Sequence, residues 1–320
     1  MRIAILYTGE ERTMRNTMPF FQKHILTTNE VDVFAVIQSG DAEGIGSFLR
    51  ENVPTLKSLR FFHRDDAVWH TLRENLLQTM NISDSWKNYL RNSGSMIEYY
   101  QLYLAYQGMI KEEYERNIQY EYIIRCRTDV VYTRPFDFSW TTIQEEEILN
   151  RFKAIQQKTG EPMNSQNTIQ TFMNTLMHPK RLHSEFCDNT ALINPDDTTL
   201  NAILQETDET QLVKRMKEYI EHGRYILTLR ANIAYLLKRP FASLIPAIGV
   251  MYGLLRSKEY VQWFDAESQF KIFCMHYGLS TFESFTRIEN SSMYEYNVDN
   301  FFDGGVLRDR DDMLFFIMRH

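Results

Sequence analysis

Arg125, Arg127 and Asp129 occupy alternate positions of the stretch YEYIIRCRTDVVY, residues 120–132. In a β-strand alternate side chains share a face, so these residues stand together, opposite Tyr122, Ile124 and Cys126. A pair of guanidinium groups on a strand end can hold a diphosphate through charge-assisted, often bidentate hydrogen bonds. A neighbouring carboxylate can hold a divalent metal that bridges the same phosphates. That combination suits a nucleotide-sugar donor. The competing reading is an Arg–Asp pair that serves structure alone at a sheet edge, because buried charges are costly unless they pair with one another.

The elements around this stretch have the order of a parallel sheet. MRIAILY predicts a first strand, TMRNTMPFFQKHIL a helix after the turn residues TGE, VDVFAVIQSGD a second strand and LKSLRFF a third. Over 95–117, Met96, Tyr100, Tyr103, Gln107, Ile110 and Tyr114 recur at helical spacing and predict one face of a long helix, with Ser95 and Glu98 as its capping box. The helix feeds straight into the arginine-bearing stretch. That stretch is therefore predicted to be a half-buried central parallel strand with Arg127, Thr128 and Asp129 at its carboxyl end, where ligands of open α/β sheets bind. Residues 1–141 are read as this α/β part. From 142 to 224, polar helix formers such as TTIQEEEILNRFKAIQQK and ETQLVKRMKEYIEHG predict a helical insert, and 225–320 returns to the α/β domain on its acceptor side.

Composition excludes several classes of function. The chain has 320 residues, 43% of them hydrophobic, enough to bury a large core. A formal net charge of −7 and a pI near 5.7 argue against a nucleic-acid binder, which needs a basic surface. Cys126, Cys187 and Cys274 are widely spaced and odd in number, which predicts reduced thiols and a cytoplasmic setting rather than a disulfide framework. IAILY near the start reads as a strand and not a signal peptide. FASLIPAIGVMYGLL, 241–255, is shorter than the roughly 20 residues a spanning helix needs, so a soluble chain is expected, with this run as core in preference to a membrane-docking segment.

Other motifs carry less. Gly44 and Gly46 in EGIGSF lack a third glycine in register for a dinucleotide fingerprint. His178, His183 and Cys187 match no zinc spacing, and the D-x-D at Asp309 and Asp311 sits in the charge run RDRDD, which reads as a solvated face. Tyr99, Tyr100 and Tyr103 could stack on a sugar or base, although a helical aromatic stripe is more often core. Arg230 and Asn232 either reach donor or acceptor or simply link the insert back to the sheet.

Taken together, YTGEERT, VDVFAVIQS, YERNIQYEYIIRCRTDVVYTRPFDF and FDAESQFKIFCMHYGLS resemble the layout of GT-A-type glycosyltransferases related to polysaccharide-building enzymes of bacteria and large DNA viruses. The resemblance covers about the first 140 residues well and the 260s moderately. It implies a GT-A-like, Rossmann-like, mostly parallel sheet flanked by helices. It also implies transfer of a sugar from a nucleotide diphosphate donor such as a UDP-sugar to a glycan or glycoconjugate acceptor, with manganese or magnesium as the divalent cation. Thr8, Gly9 and Arg12 would line the nucleotide and its phosphates beside Arg125 and Arg127, and Asp129 would contact metal or donor sugar. The chain departs from the family's D-x-D, since Arg127 and Val131 stand two residues either side of Asp129. Arg127 could neutralise phosphate where a cation otherwise would. Asp265 and Glu267, near a helix start in WFDAESQF, supply the catalytic carboxylates, with Glu267 as acceptor base and Asp265 also suited to the N-cap. The alternatives are a non-catalytic glycan-binding or assembly module on the same fold, or an α/β enzyme of sugar-phosphate or nucleotide metabolism.

Overall fold

Strand β1 (Ile3–Glu10) is apolar on both faces and lies at the centre of the sheet, which is where an uninterrupted apolar run has to sit. In the computed structural model the described residues are 2–28, 30–132, 144–177, 198–222, 225–230, 234–243, 266, 270, 280–283, 302–303, 306–307 and 315–317. They fall in two compact units, one comprising Met1–Asp137, Leu229–Phe270 and Phe285–His320, the other Phe138–Thr228 and Lys271–Ser284.

In the first unit β1 is followed by α1 (Met14–Phe21), which runs on into a π-helical turn at Gln22–Leu26, and then by β2 (Val31–Gln38). Next come α2 (Ala42–Asn52), β3 (Leu56–Phe62), α3 (Ala67–Thr79), α4 (Asp84–Asn92), α5 (Ser95–Arg116), β4 (Tyr122–Arg127) and β5 (Val130–Tyr132). Helices α2 and α3 begin where a side chain satisfies a free backbone N–H group: Asp41 accepts from Gly44 N at 2.8 Å and Asp66 from Trp69 N at 2.9 Å. Gly44 and Gly46 lie inside α2, so EGIGSF is helix and not a phosphate loop.

The sheet order is β3-β2-β1-β4, all parallel, followed by β7 (Ala234–Lys238), which is antiparallel to β4. Mixed and mostly parallel, with helices against it, this is the α/β architecture the sequence predicts. The described tail of this unit adds β9 (Phe302–Asp303) paired with β10 (Val306–Leu307), and β11 (Phe315–Ile317) antiparallel to β5. The second unit carries α6 (Glu145–Thr159), α7 (Gln166–Met177), α8 (Thr198–Leu204) and α9 (Glu209–His222), with β6 (Tyr225–Arg230) parallel to β8 (Ser280–Glu283). Its core includes a stacked pair, Phe152 on Phe172, with centroids 4.3 Å apart. No helix among the described residues is long and apolar enough to cross a membrane.

Two details differ from the sequence reading. Strand β4 is not half-buried: Ile123, Ile124, Arg125 and Cys126 are all at most 1% exposed, because β4 lies between β1 and β7, with Glu98 of α5 against Arg125 and Tyr132 of β5 against Cys126. The sheet-facing side of α5 is also not the tyrosine stripe. Tyr99, Leu102, Ala105 and Met109 are buried, whereas Tyr114 is 88% exposed. Small residues select this face: a Cβ on Gly108 would meet Ser58 Oγ at 2.5 Å, so the glycine lets the helix lie this close to β2 and β3 without moving the Ser58 side chain. Tyr100 instead stacks on Trp69 of α3 at 4.9 Å and serves as core for that helix.

The far end of α5 is tied to the sheet by Glu113, whose carboxylate accepts from Tyr120 N at 2.9 Å and from Arg239 Nε and Nη2 at 2.8 and 2.6 Å. Removing the carboxylate strands a backbone donor and a guanidinium together. Glu113→Ala is therefore expected to cost about 2–3 kcal/mol, read as a lowered midpoint in urea denaturation. A midpoint unchanged from wild type would show that water replaces the carboxylate without loss.

Candidate functional site

From β1 the chain steps to β2 and β3 on one side, then returns to place β4 on the other side of β1. The order of the strands reverses between β1 and β4, and this is where an open α/β sheet leaves a crevice at the carboxyl ends of its strands. A cavity of about 380 Å³ opens there, lined by Thr8, Gly9, Glu10 and Arg12 after β1, Gln38 at the end of β2, Arg64 beyond β3, the start of α5, and Arg125 and Arg127–Asp129.

Gly9 lets the two strand ends close on one another. Its φ is +150°, a conformation side chains rarely adopt, and a Cβ there would overlap Thr128 Oγ1 and come within 3.3 Å of Thr128 Cβ. The Thr128 hydroxyl donates to Glu10 O at 2.7 Å, Thr128 N donates to Thr8 O at 3.2 Å, and Thr17 Oγ1 donates to Thr128 O at 2.6 Å. The turn carrying Thr128 and Asp129 is thereby fixed to β1 and α1.

An ion-paired cluster floors the cavity. Arg125 is completely buried, and its Nη2 donates to Glu98 Oε1 at 2.5 Å. Arg127 Nη1 shares the same carboxylate oxygen at 3.2 Å, while its Nε and Nη2 grip both oxygens of Asp129 at 2.8 and 2.6 Å. The Arg–Asp pair considered from sequence is thus present as a bidentate contact. At the rim, Glu10 is flanked by Arg12 at 3.3 Å and Arg64 at 2.8 Å. Both rim arginines are about half exposed, so these pairs add little stability and leave the guanidinium groups able to meet a ligand.

Several polar atoms of residues lining the cavity are buried without a partner among the described residues: Arg125 Nε and Nη1, Thr8 Oγ1 and Ser93 Oγ. Buried polar groups are nearly always satisfied, by protein or by ordered water, so groups left over beside a cavity are ones that water or a bound molecule can satisfy. The N-terminus of the 22-residue helix α5 faces the same space, and no side chain caps it. Its exposed N–H groups and partial positive charge favour an anion. Here the predicted capping box fails. Gly94 is the N-cap residue, and Glu98 is drawn to the buried arginines, whose charge outweighs one backbone N–H.

Of the residues singled out from sequence, Thr8, Gly9, Arg12, Arg125, Arg127 and Asp129 all line this one cavity. Asp265 and Glu267 lie outside the described residues. Ala266 between them is described; its carbonyl accepts from Tyr99 OH at 2.6 Å, and it lines the cavity too. Cys187 and Cys274, His178 and His183, Asn232, Asp309 and Asp311, and most of 241–255 also lie outside the described residues. Glu10, Arg64, Glu98 and Gln101 were not assigned to a site from sequence. Arg64 could have been found from its position just beyond the carboxyl end of β3, and Glu98 from its place opposite the arginine strand; Gln101 gave no signal.

The described donor set does not suit a divalent cation. Each described carboxylate lining the cavity is held by at least one arginine, both oxygens of Asp129 are taken, and no cluster of three His, Cys, Asp or Glu among the described residues could hold a metal ion. Nor is Cys126 a nucleophile. Its buried thiol is pushed up to about 12 by burial and accepts from Tyr132 OH at 3.1 Å.

The chain matches no family model, and no curated protein matches it. Among solved structures it is similar to mouse xyloside xylosyltransferase 1 in its apo form, at 10% identity and a TM-score of 0.35, over 88% of this chain and 85% of that one. A likeness this distant assigns neither residues nor chemistry.

Proposed function

We propose that the cavity between β1 and β4 receives the diphosphate of a nucleotide-sugar donor, and that the chain is a glycosyltransferase acting on a glycan or glycoconjugate acceptor. The observation that carries this reading is Arg125: a fully buried guanidinium of a residue lining the cavity, with Nε and Nη1 unpaired among the described residues. A planar fork of N–H donors is made for phosphate oxygens. Arg12, Arg64 and Arg127 and the open N-terminus of α5 add positive potential around it.

Breaking the bond from the anomeric carbon to the diphosphate leaves negative charge on the departing oxygens, and pre-placed arginines stabilise that charge without reorganising. On this account the guanidinium groups do what manganese or magnesium does elsewhere, and no step passes through a metal. Thr8, Gly9 and Arg12 lie along the nucleotide, Asp129 holds Arg127 in place, and Glu267 takes the acceptor proton with Asp265 as its companion carboxylate. Polysaccharide synthesis in the cytoplasm is the setting that fits such an activity.

Thermal shift with UDP, GDP, UDP-glucose, UDP-N-acetylglucosamine and GDP-mannose tests the reading. A donor at a hundred times its dissociation constant should stabilise the protein by about 2.7 kcal/mol. Absence of any shift across the panel would overturn it.

A second reading has its own support. No described carboxylate lining the cavity is without an arginine partner, which suits a glycan-binding or assembly module that keeps the pocket without turnover. Release of nucleoside diphosphate from the stabilising nucleotide sugar in the presence of glycan acceptors separates the two readings, since only the enzyme produces it.

A further inference from the structure

Gln101 lies one turn deeper along α5 than Glu98 and lines the cavity, yet it is only 3% exposed and makes no hydrogen bond through its side-chain amide to any described residue. It stands on the same cavity lining as Thr8 and Arg125, whose Oγ1 and whose Nε and Nη1 are buried without a partner among the described residues. The placement is set by the fold. In the parallel register Leu6 stands beside Arg125 and Thr8 beside Arg127, so Thr8 and both arginines share the face that α5 covers.

The chemistry of the floor differs from that of the rim. Arginine donates only, which suits phosphate. A glutamine amide presents a donor and an acceptor side by side, and a threonine hydroxyl does both. A phosphate oxygen cannot satisfy the carbonyl of Gln101, because it has no proton to give. What satisfies it is an uncharged group with an adjacent donor and acceptor: a vicinal pair of hydroxyls on the sugar, or the amide edge of a nucleobase. Sites built to hydrogen-bond such groups discriminate strongly, because a ligand lacking them leaves the protein's own polar atoms buried and unpaired.

We infer that Gln101 is a specificity-determining residue that reads an adjacent donor–acceptor pair on the uncharged part of the ligand, with Thr8 beside it, while the arginines hold the phosphates. This rests on the donor-site reading above and adds to it which residue selects the donor.

The test compares wild type with Gln101→Leu, similar in size and without the amide, by calorimetric titration of pyrophosphate, UDP and UDP-glucose, with GDP and GDP-mannose in parallel. For the nucleotide sugar that binds, the variant should lose about tenfold to a hundredfold in affinity, as expected for a pair of hydrogen bonds, while pyrophosphate binds both proteins alike. Equal loss for the nucleoside diphosphate places the recognised pair on the base; loss confined to the nucleotide sugar places it on the sugar. Unchanged affinity of Gln101→Leu for every nucleotide that wild type binds overturns the inference and leaves the donor site standing. Failure of wild type to bind any of them overturns the donor site and the inference together. A melting comparison without ligand checks the structural alternative: because the amide has no partner to lose, Gln101→Leu should melt no lower than wild type, and a fall of more than about 2 °C would mean that the side chain serves the fold.

Discussion

Gly9→Ala should destabilise the protein by about 3 kcal/mol, summing backbone strain and overpacking, and should abolish binding in the cavity. The residue sits at φ +150°, and the new Cβ would fall on Thr128 Oγ1, the hydroxyl that ties Glu10 O to the turn bearing Asp129. To accommodate a methyl group, either β1 must move away from that turn or Thr128 must change rotamer and release Glu10. Chemical denaturation gives the stability. The double variant Gly9→Ala with Thr128→Ala gives the cause, because deleting the hydroxyl removes the worst overlap and should recover about half of the loss, a coupling that independent sites would not show. A Gly9→Ala protein within about 0.5 kcal/mol of wild type would mean that the strand end is not packed as described.

The second large effect is expected at Glu98. Its carboxylate is the described counter-charge of Arg125, which is completely buried, and it is shared with Arg127. Glu98→Ala leaves Arg125 as an uncompensated buried cation, and losses of about 3–5 kcal/mol follow from such changes. Glu98→Gln keeps an acceptor without the charge and should lose less. The variant also offers a diagnostic that a purely structural account does not supply. An anion entering the cavity replaces the missing negative partner, so pyrophosphate should stabilise Glu98→Ala more than it stabilises wild type. Equal stabilisation of both proteins would show that the anion does not reach Arg125.

Much of this arrangement is legible in the chain, for reasons that differ from residue to residue. The strands β1 and β2 announce themselves because parallel strands covered on both faces are written as apolar runs, as in IAILY and VDVFAVI. The arginine stretch is legible as a site because charge on a central strand needs an explanation. What the sequence does not carry is which distant group answers that charge. Ser95 and Glu98 have the spacing of a capping box, and only the folded chain shows the carboxylate turned toward Arg125 and Arg127, on a strand that begins 24 residues after Glu98. The sheet-facing side of α5 was obscured for a related reason. Tyrosines dominate a hydrophobic pattern, but Ala105 and Gly108 decide which side can approach a sheet. Gln101 was silent because a polar residue on a helix is ordinarily exposed, and its burial depends on β1 and β4 meeting beneath it.

The central claim is that Arg125 grips the diphosphate of a nucleotide sugar, and one comparison tests it most directly: titration of wild type and Arg125→Lys with the nucleotide sugars and their diphosphates. Lysine keeps a positive charge for Glu98 but loses the planar fork whose Nε and Nη1 are buried without a partner among the described residues. The account predicts that wild type binds at least one nucleotide sugar, and that Arg125→Lys remains folded and binds it about a hundredfold more weakly, the loss of two charge-assisted hydrogen bonds. Equal affinity in the two proteins, or no binding of any nucleotide by wild type, would contradict it.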